Sequence, residues 1–258
     1  MSKITLQGIL YDEKSSFARG PALAPPLIRE AYHSNSANYY AEDGNEIKPN
    51  LFEDLGDFEV NEYLDIVAVT QANLNAQKPI LTLGGDHSIT YPVLKAINKT
   101  YGKISILHID AHGDLYQNFE GDIYSHACPF YNILNDGITD DLTQVGIRTL
   151  NQEQRNNASK FDVNIYEMKD FKDFKMPKFK NPLYLSLDID ALDPAFAPGV
   201  SHHEPGGLST REVLGIIQEI DVPLIGADIV EYNPTRDLNG VTAMVCAKFL
   251  REIAAKMI

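Results

Sequence analysis

Only two cysteines occur in 258 residues, Cys128 and Cys246, far apart and outside any Cys-x-x-Cys pair. That scarcity excludes a disulfide framework and a thiolate zinc site, and a reducing, cytoplasmic setting is the expectation. Positive charge is also in short supply: 22 Lys and Arg stand against 36 Asp and Glu, a formal charge of −14. Nucleic acid and anionic membranes are repelled by such a chain, whereas a small cationic ligand suits it. No run of 18 uncharged apolar residues exists, and the opening MSKITLQGILYDE has neither a basic leader nor a long apolar stretch, so neither a membrane span nor an export signal is expected. Repeats, low-complexity tracts and interdomain linkers are missing too. With 44% hydrophobic residues, residues 1–258 are expected to form a single domain around one large core.

What is present is an alternation. Short apolar runs, ITLQGIL, PILTL, KISILHI, LTQVGI, PLYLSLDI and VPLIGADIV, have the length and composition of buried strands. Between them, residues 61–76, 89–101, 210–220 and 238–256 carry apolar side chains at helical spacing. This order predicts an α/β fold with a mainly parallel sheet. Residues 34–50, 113–125 and 194–207 lack periodicity and are rich in Gly, Pro, Asn or His, which reads as loop.

In an open parallel sheet, ligands bind beyond the carboxyl ends of the strands, and four of the apolar runs end there in polar clusters. GGDHS (84–88) follows PILTL, DAHGD (110–114) follows KISILHI, SLDIDALDP (186–194) closes PLYL, and VEYNP (230–234) closes PLIGADI. In extended backbone, residues two apart share a face, so Asp110, His112 and Asp114 point one way, as do Asp188 and Asp190. With His87 they bring together four carboxylates and two imidazoles, more negative charge than can be clustered without a cation. Two divalent ions bridged by carboxylates would neutralise it, and mixed oxygen and nitrogen donors suit Mn²⁺, although affinity order alone favours Zn²⁺ or Cu²⁺.

Each piece also has a plain structural explanation. GGDHS alone could be turn glycines and a helix cap, and Asp193 before Pro194 reads as a cap. His202 and His203 in SHHEPGG have no partner at metal-ligand spacing and are not taken as ligands. The metal reading rests on the motifs occurring together.

GGDHS, DAHGD and SLDIDALDP, in that order and spanning nearly the whole chain, resemble the metal signatures of the ureohydrolase family, manganese enzymes that include arginase, agmatinase and formimidoylglutamase. FEGDIYSHA, PAFAPGVSHHEPGGLS and GADIVEYNPTRD resemble its plant-type arginase branch. The resemblance implies a three-layer α/β/α sandwich around the sheet, assembly into homo-oligomers (trimers or hexamers), and two Mn²⁺ per chain. It places His87, Asp110, Asp114 and Asp188 around one ion and Asp110, His112, Asp188 and Asp190 around the other, with Asp110 and Asp188 bridging. It further implies Asp114 as proton carrier, His126 as proton shuttle and Glu231 as partner of a substrate guanidinium. The substrate it implies is L-arginine, hydrolysed to ornithine and urea, with agmatine next and formimidoylglutamate third. Tyr116 stands where animal arginases have an asparagine that helps hold the α-carboxylate, Asn151 stands where they have an aspartate, and Arg148 is the one cation in those loops suited to a carboxylate. Two other classes remain: a metal-binding protein that holds guanidino compounds without turnover, and a dinuclear metallophosphatase, against which the acidic motifs argue.

Overall fold

The computed structural model describes residues 4–258, in which eight strands make one sheet: β1 (Ile4–Leu10), β2 (Phe52–Glu59), β3 (Ile80–Leu83), β4 (Ser105–Ile109), β5 (Leu142–Ile147), β6 (Asn164–Glu167), β7 (Leu183–Asp188) and β8 (Leu224–Val230). All pairings are parallel, in the order β2-β1-β3-β8-β7-β4-β5-β6. Strands β3, β4, β5 and β7 are buried along their whole length, as expected of parallel strands covered on both faces and written as continuous apolar runs.

Seven helices provide the cover: α1 (Ala24–Tyr32), α2 (Asp65–Asn73), α3 (Thr90–Tyr101), α4 (Pro129–Asn135), α5 (Gln152–Lys160), α6 (Thr210–Glu219) and α7 (Val241–Ala255). Ile28 of α1, Val213 and Ile217 of α6 and Leu250 of α7 pack into one apolar cluster with the sheet. Ile66 of α2, Leu94 of α3, Ile133 of α4 and Ala158 of α5 pack into a second. Two helical layers around one sheet make the three-layer sandwich.

The six apolar runs all became strands. Two further strands were not legible as apolar runs. FEDLGDFE of β2 is an edge strand with mostly exposed, acidic side chains, a composition that blunts an edge; NIYE of β6 is the opposite edge, short and half-exposed. Among the helices, α1 begins with Pro25 and Pro26, tolerated only because they fall in the first turn, and α5 buries only Gln154 and Ala158, so it writes no apolar stripe. The three expected loops are irregular.

The topology explains the site. Strands β3, β8, β7 and β4 are consecutive at the centre of the sheet. Leu83, Ile229, Leu187 and Ile109 lie on one row across them, so the four polar clusters that follow emerge side by side from a single edge.

Candidate metal centre and active site

The glycines of GGDHS let the first cluster turn into this edge. A Cβ on Gly84 would lie 2.5 Å from Ile89 and 2.7 Å from Val230, and one on Gly85 only 1.6 Å from the Tyr11 carbonyl oxygen. No side chain fits there. The chain then turns inward, Asp86 capping a short 3₁₀ turn through the Ser88 amide, and His87 is buried beneath the pocket. The other ligands do not arrive by the strand alternation read from the sequence. β4 ends at Ile109 and β7 at Asp188, so Asp110, His112 and Asp114 project from bent, irregular chain just beyond β4, and Asp190 from a short 3₁₀ turn just beyond β7. Asp114 and Glu231 have left-handed backbone, with φ of 48° and 63°, a strained conformation that recurs at functional sites.

All six expected ligands converge. His87 Nδ1 lies 3.0 Å from Asp188 Oδ2, 3.1 Å from Asp110 Oδ2 and 3.2 Å from Asp114 Oδ2. His112 Nδ1 lies 3.1 Å from Asp190 Oδ2 and 3.4 Å from Asp110 Oδ1. Asp110 thus faces one imidazole with each oxygen. Asp188 faces His87 with Oδ2 and accepts the Asp190 amide on Oδ1.

The hydrogen bonds test whether a cation fits. Ser186 Oγ donates to Asp228 Oδ1 at 2.7 Å, so it receives a proton from His87 Nε2 at 3.0 Å. That tautomer leaves a lone pair on Nδ1, which is buried, makes no hydrogen bond and faces three carboxylate oxygens. Lone pair and carboxylates repel unless a positive charge sits between them. The residues fit a metal ion. Without a cation between them, the same repulsion would displace protonation. Burial, Asp190 and Asp110 push Asp188 well above the carboxylate range, while His87 is driven well up by the three carboxylates against the effect of burial.

Sequence reading missed the groups that orient these ligands. Gln144 Nε2 donates to His108 Nδ1 at 2.9 Å, so His108 Nε2 donates to Asp110 Oδ2 at 2.8 Å. With both nitrogens engaged, His108 is a support behind Asp110, although its atoms cluster with those of His87; such supports fix a ligand's orientation. Its position two residues before Asp110 was the available signal. Asp228 receives Thr90, Tyr184 and Ser186, each at 2.7–2.8 Å, and holds the Ser186 relay in place.

Above the ligands, His126 Nδ1 lies 2.8 Å from Glu231 Oε1 and His126 Nε2 lies 2.8 Å from Ser16 Oγ. The loop carrying Ser16 is tied down by Asp86, whose Oδ2 accepts the Lys14 amide and the Ser15 hydroxyl at 3.1 Å each. This is the work of the aspartate in GGDHS. Burial disfavours a charged His126, but the Glu231 carboxylate outweighs it and lifts the imidazole to about 9. A raised value means the pair stabilises the fold fully below about pH 6.5 and loses that contribution as pH rises through about 9. In metal-free protein, His126 is expected to titrate near pH 9 by NMR, and Glu231→Gln to bring it down towards 6.5; an ordinary value in the unsubstituted protein would sink the pairing.

Between these groups lies a cavity of about 180 Å³ whose walls include Asp114, Asp188, Asp190, His126, Glu231 and Tyr116. Asn151 Nδ2 donates to Tyr116 Oη at 2.9 Å, joining the two positions singled out for the substrate's far end. Arg148 is not free for a carboxylate: it donates to the carbonyls of Gly146, Asp190, Ala191, Leu192 and Glu204 at 2.7–3.3 Å. Asp193 caps no helix. It accepts the amides of Ala195, Gly206 and Gly207 and closes the loop between them, because the chain after Pro194 turns back instead of starting a helix. His202 and His203 lie outside both metal-ligand clusters.

A central parallel sheet carrying paired imidazole–carboxylate clusters, with a histidine–glutamate couple above them, defines a metal-dependent hydrolase of the ureohydrolase class. The chain belongs to the arginase family, whose model matches residues 2–255, and is a ureohydrolase acting on amidino compounds. It is 45% identical to a protein named arginase 1, mitochondrial, of Arabidopsis thaliana, over 98% of this chain and 80% of that one. An agmatinase of Bacillus cereus is 31% identical over 98% and 91% of the two chains. The solved arginase of Medicago truncatula superposes with a TM-score of 0.93 at 40% identity, over 99% of this chain and 87% of that one. The cytoplasmic expectation is corrected by these relatives: plant arginases at 43–45% identity are named mitochondrial or chloroplastic/mitochondrial, which points to an organelle. Both cysteines are buried and free. Among the described residues no helix is long and apolar enough to cross a membrane.

Proposed function

We propose that this chain hydrolyses L-arginine to L-ornithine and urea with two bound Mn²⁺. The observation that carries the reading is the His87 Nδ1 lone pair aimed at three carboxylates, in a chain 45% identical to a plant arginase. His87, Asp110, Asp114 and Asp188 would hold one ion and Asp110, His112, Asp188 and Asp190 the other. Oxygen-rich donors favour Mn²⁺. The chemistry such ions supply is the acidification of water, giving hydroxide near neutral pH.

The protein's own groups do the rest. Glu231 pairs with the guanidinium and fixes its plane for attack, a charge-assisted contact. Asp114 carries the proton to the departing nitrogen, whose poor leaving ability demands it. His126, largely buried in the cavity wall and linked to Ser16, relays protons between the amine product and solvent. The acidic pocket and the −14 formal charge draw a cationic substrate inward. With Arg148 engaged by carbonyls, an amino-acid carboxylate would be met by neutral donors such as the Tyr116 hydroxyl, whose oxygen accepts from Asn151 and whose proton is left to donate. Trimeric or hexameric assembly belongs to the same proposal.

The same neutral wall would also admit agmatine. Turnover with Mn²⁺ at about pH 8 is expected to favour arginine. A kcat/KM for agmatine more than tenfold higher, about 1.4 kcal/mol of transition-state discrimination, would overturn the substrate and leave the site intact. Absence of urea from any guanidino compound would favour a binding protein instead.

A further inference from the structure

His126 has both ring nitrogens engaged. Glu231 Oε1 accepts the His87 amide at 2.9 Å and lies 2.8 Å from His126 Nδ1; a carboxylate only accepts, so the Nδ1 proton stays in that bond. The proton that comes and goes is therefore the one on Nε2, and Nε2 faces Ser16 Oγ at 2.8 Å. The imidazole is largely enclosed, with 12% of its side chain exposed, whereas Ser16 is exposed and also lines the catalytic cavity. The Ser16 hydroxyl has no other hydrogen-bond partner among the described residues.

The segment that carries Ser16 is fastened to the loops beyond all four central strands. Asp86, after β3, accepts the Lys14 amide and the Ser15 hydroxyl at 3.1 Å each. Beyond β4, the His126 amide donates to the Lys14 carbonyl at 3.1 Å and Asp122 accepts Lys14 Nζ at 2.8 Å. Ser201, beyond β7, donates to the Ala18 carbonyl at 2.8 Å, and Asn233, beyond β8, to the Arg19 carbonyl at 3.2 Å. These anchors hold an exposed hydroxyl against one imidazole nitrogen. Because a hydroxyl both donates and accepts, it can follow the ring through its two states: its O–H donates to neutral Nε2, and it accepts from Nε2–H once the ring is charged, which frees its own proton for water. We propose that Ser16 is the port through which His126 exchanges its proton with solvent. Each passage outwards breaks the Nε2–H bond and forms an O–H bond on Ser16 while Ser16 gives its own proton to water, so atoms and charge balance. Ser16 acts through His126 and is a positioning residue. The inference rests on the hydrolytic reading, in which His126 moves protons, and adds the step between the imidazole and bulk solvent.

The test compares two variants of the Mn²⁺-loaded protein: Ser16→Thr keeps a hydroxyl, and Ser16→Val has nearly the same shape without one. With arginine, Ser16→Val is expected to lower kcat roughly ten- to a hundredfold, part of what a proton-transfer group contributes, with KM and metal content unchanged. Ser16→Thr should keep most of the rate. Added imidazole, a soluble proton carrier, should raise the kcat of Ser16→Val more than that of the unsubstituted enzyme. Equal rates in the two variants would mean that the hydroxyl plays no part. A loss confined to KM would make Ser16 a substrate contact, and loss of metal a support of the ligands. Each of these overturns the proposal, as does a Ser16→Val rate indifferent to imidazole. If the unsubstituted protein releases no urea from arginine or agmatine, the function reading fails by itself. Exchange of the His126 Nε2 proton with water, read by NMR in protein loaded with diamagnetic Zn²⁺, then still decides the role of Ser16: slower exchange in Ser16→Val than in Ser16→Thr supports the port, and equal or faster exchange overturns it.

Discussion

Asp110→Asn and Asp188→Asn are expected to lose nearly all turnover and at least one of the two proposed metal ions. Asp110 is the more exposed to damage. Each of its oxygens faces a different ligand imidazole, and each already accepts a hydrogen bond, Oδ2 from His108 and Oδ1 from the His112 amide at 2.6 Å. An asparagine must turn its amide nitrogen towards one of those donors, so the substitution removes a charge and also breaks the support that aims the remaining oxygen. Asp188 is fully enclosed and bonded to the Asp190 amide, so its amide would disturb a second ligand. Bound ions supply several kcal/mol of transition-state stabilisation, and losing them should reduce kcat/KM on the order of 10³-fold or more. Elemental analysis beside urea release decides the matter. A variant of either residue that keeps two metals and near-normal turnover would mean the ligands are wrongly assigned.

Chelation is expected to abolish urea release, with recovery greatest on adding Mn²⁺, and to destabilise the fold. At a hundredfold excess over its dissociation constant a bound ion adds about 2.7 kcal/mol of stability. The metal-free protein should show a pH dependence with a definite sign. His87, His112 and His126 are all raised in the fold, burial being outweighed by their carboxylate partners. Groups raised on folding stabilise below their unfolded value, near 6.5, and lose that contribution as pH rises through the folded one. The melting temperature of chelated protein should therefore fall as pH rises from about 6.5 through about 9, where His126 titrates. Equal activity in verified metal-free protein, or a melting temperature that rises across that window, would contradict the site as drawn.

How much of this could be read in advance follows from what each residue does. Buried parallel strands must be continuously apolar, so six of them were visible, and the six acids and histidines that converge follow directly on strand ends, so they were visible as well. Residues that act through a single hydrogen bond leave no pattern. His108, Gln144, Ser186 and Asp228 are scattered over four strands and meet only because those strands pair. Edge strand β2 and helix α5 were hidden for the opposite reason: solvent covers most of their side chains, so no apolar period is required of them. Arg148 misled because its charge was legible and its five carbonyl partners were not.

The insertion of β8 between β3 and β7 has a consequence for how the molecule is made. A ribosome delivers β3 and β7 well before residues 224–230, and until then these two strands have no neighbour on the sides where β8 will lie. The nascent sheet is therefore split into two halves, β2-β1-β3 and β7-β4-β5-β6, each with an open inner edge of the kind that invites mispairing. His87 belongs to one half and the five aspartate and histidine ligands from Asp110 to Asp190 to the other. Metal capture thus waits for nearly the whole chain, and a product truncated before Leu224 would have all six ligands and no centre.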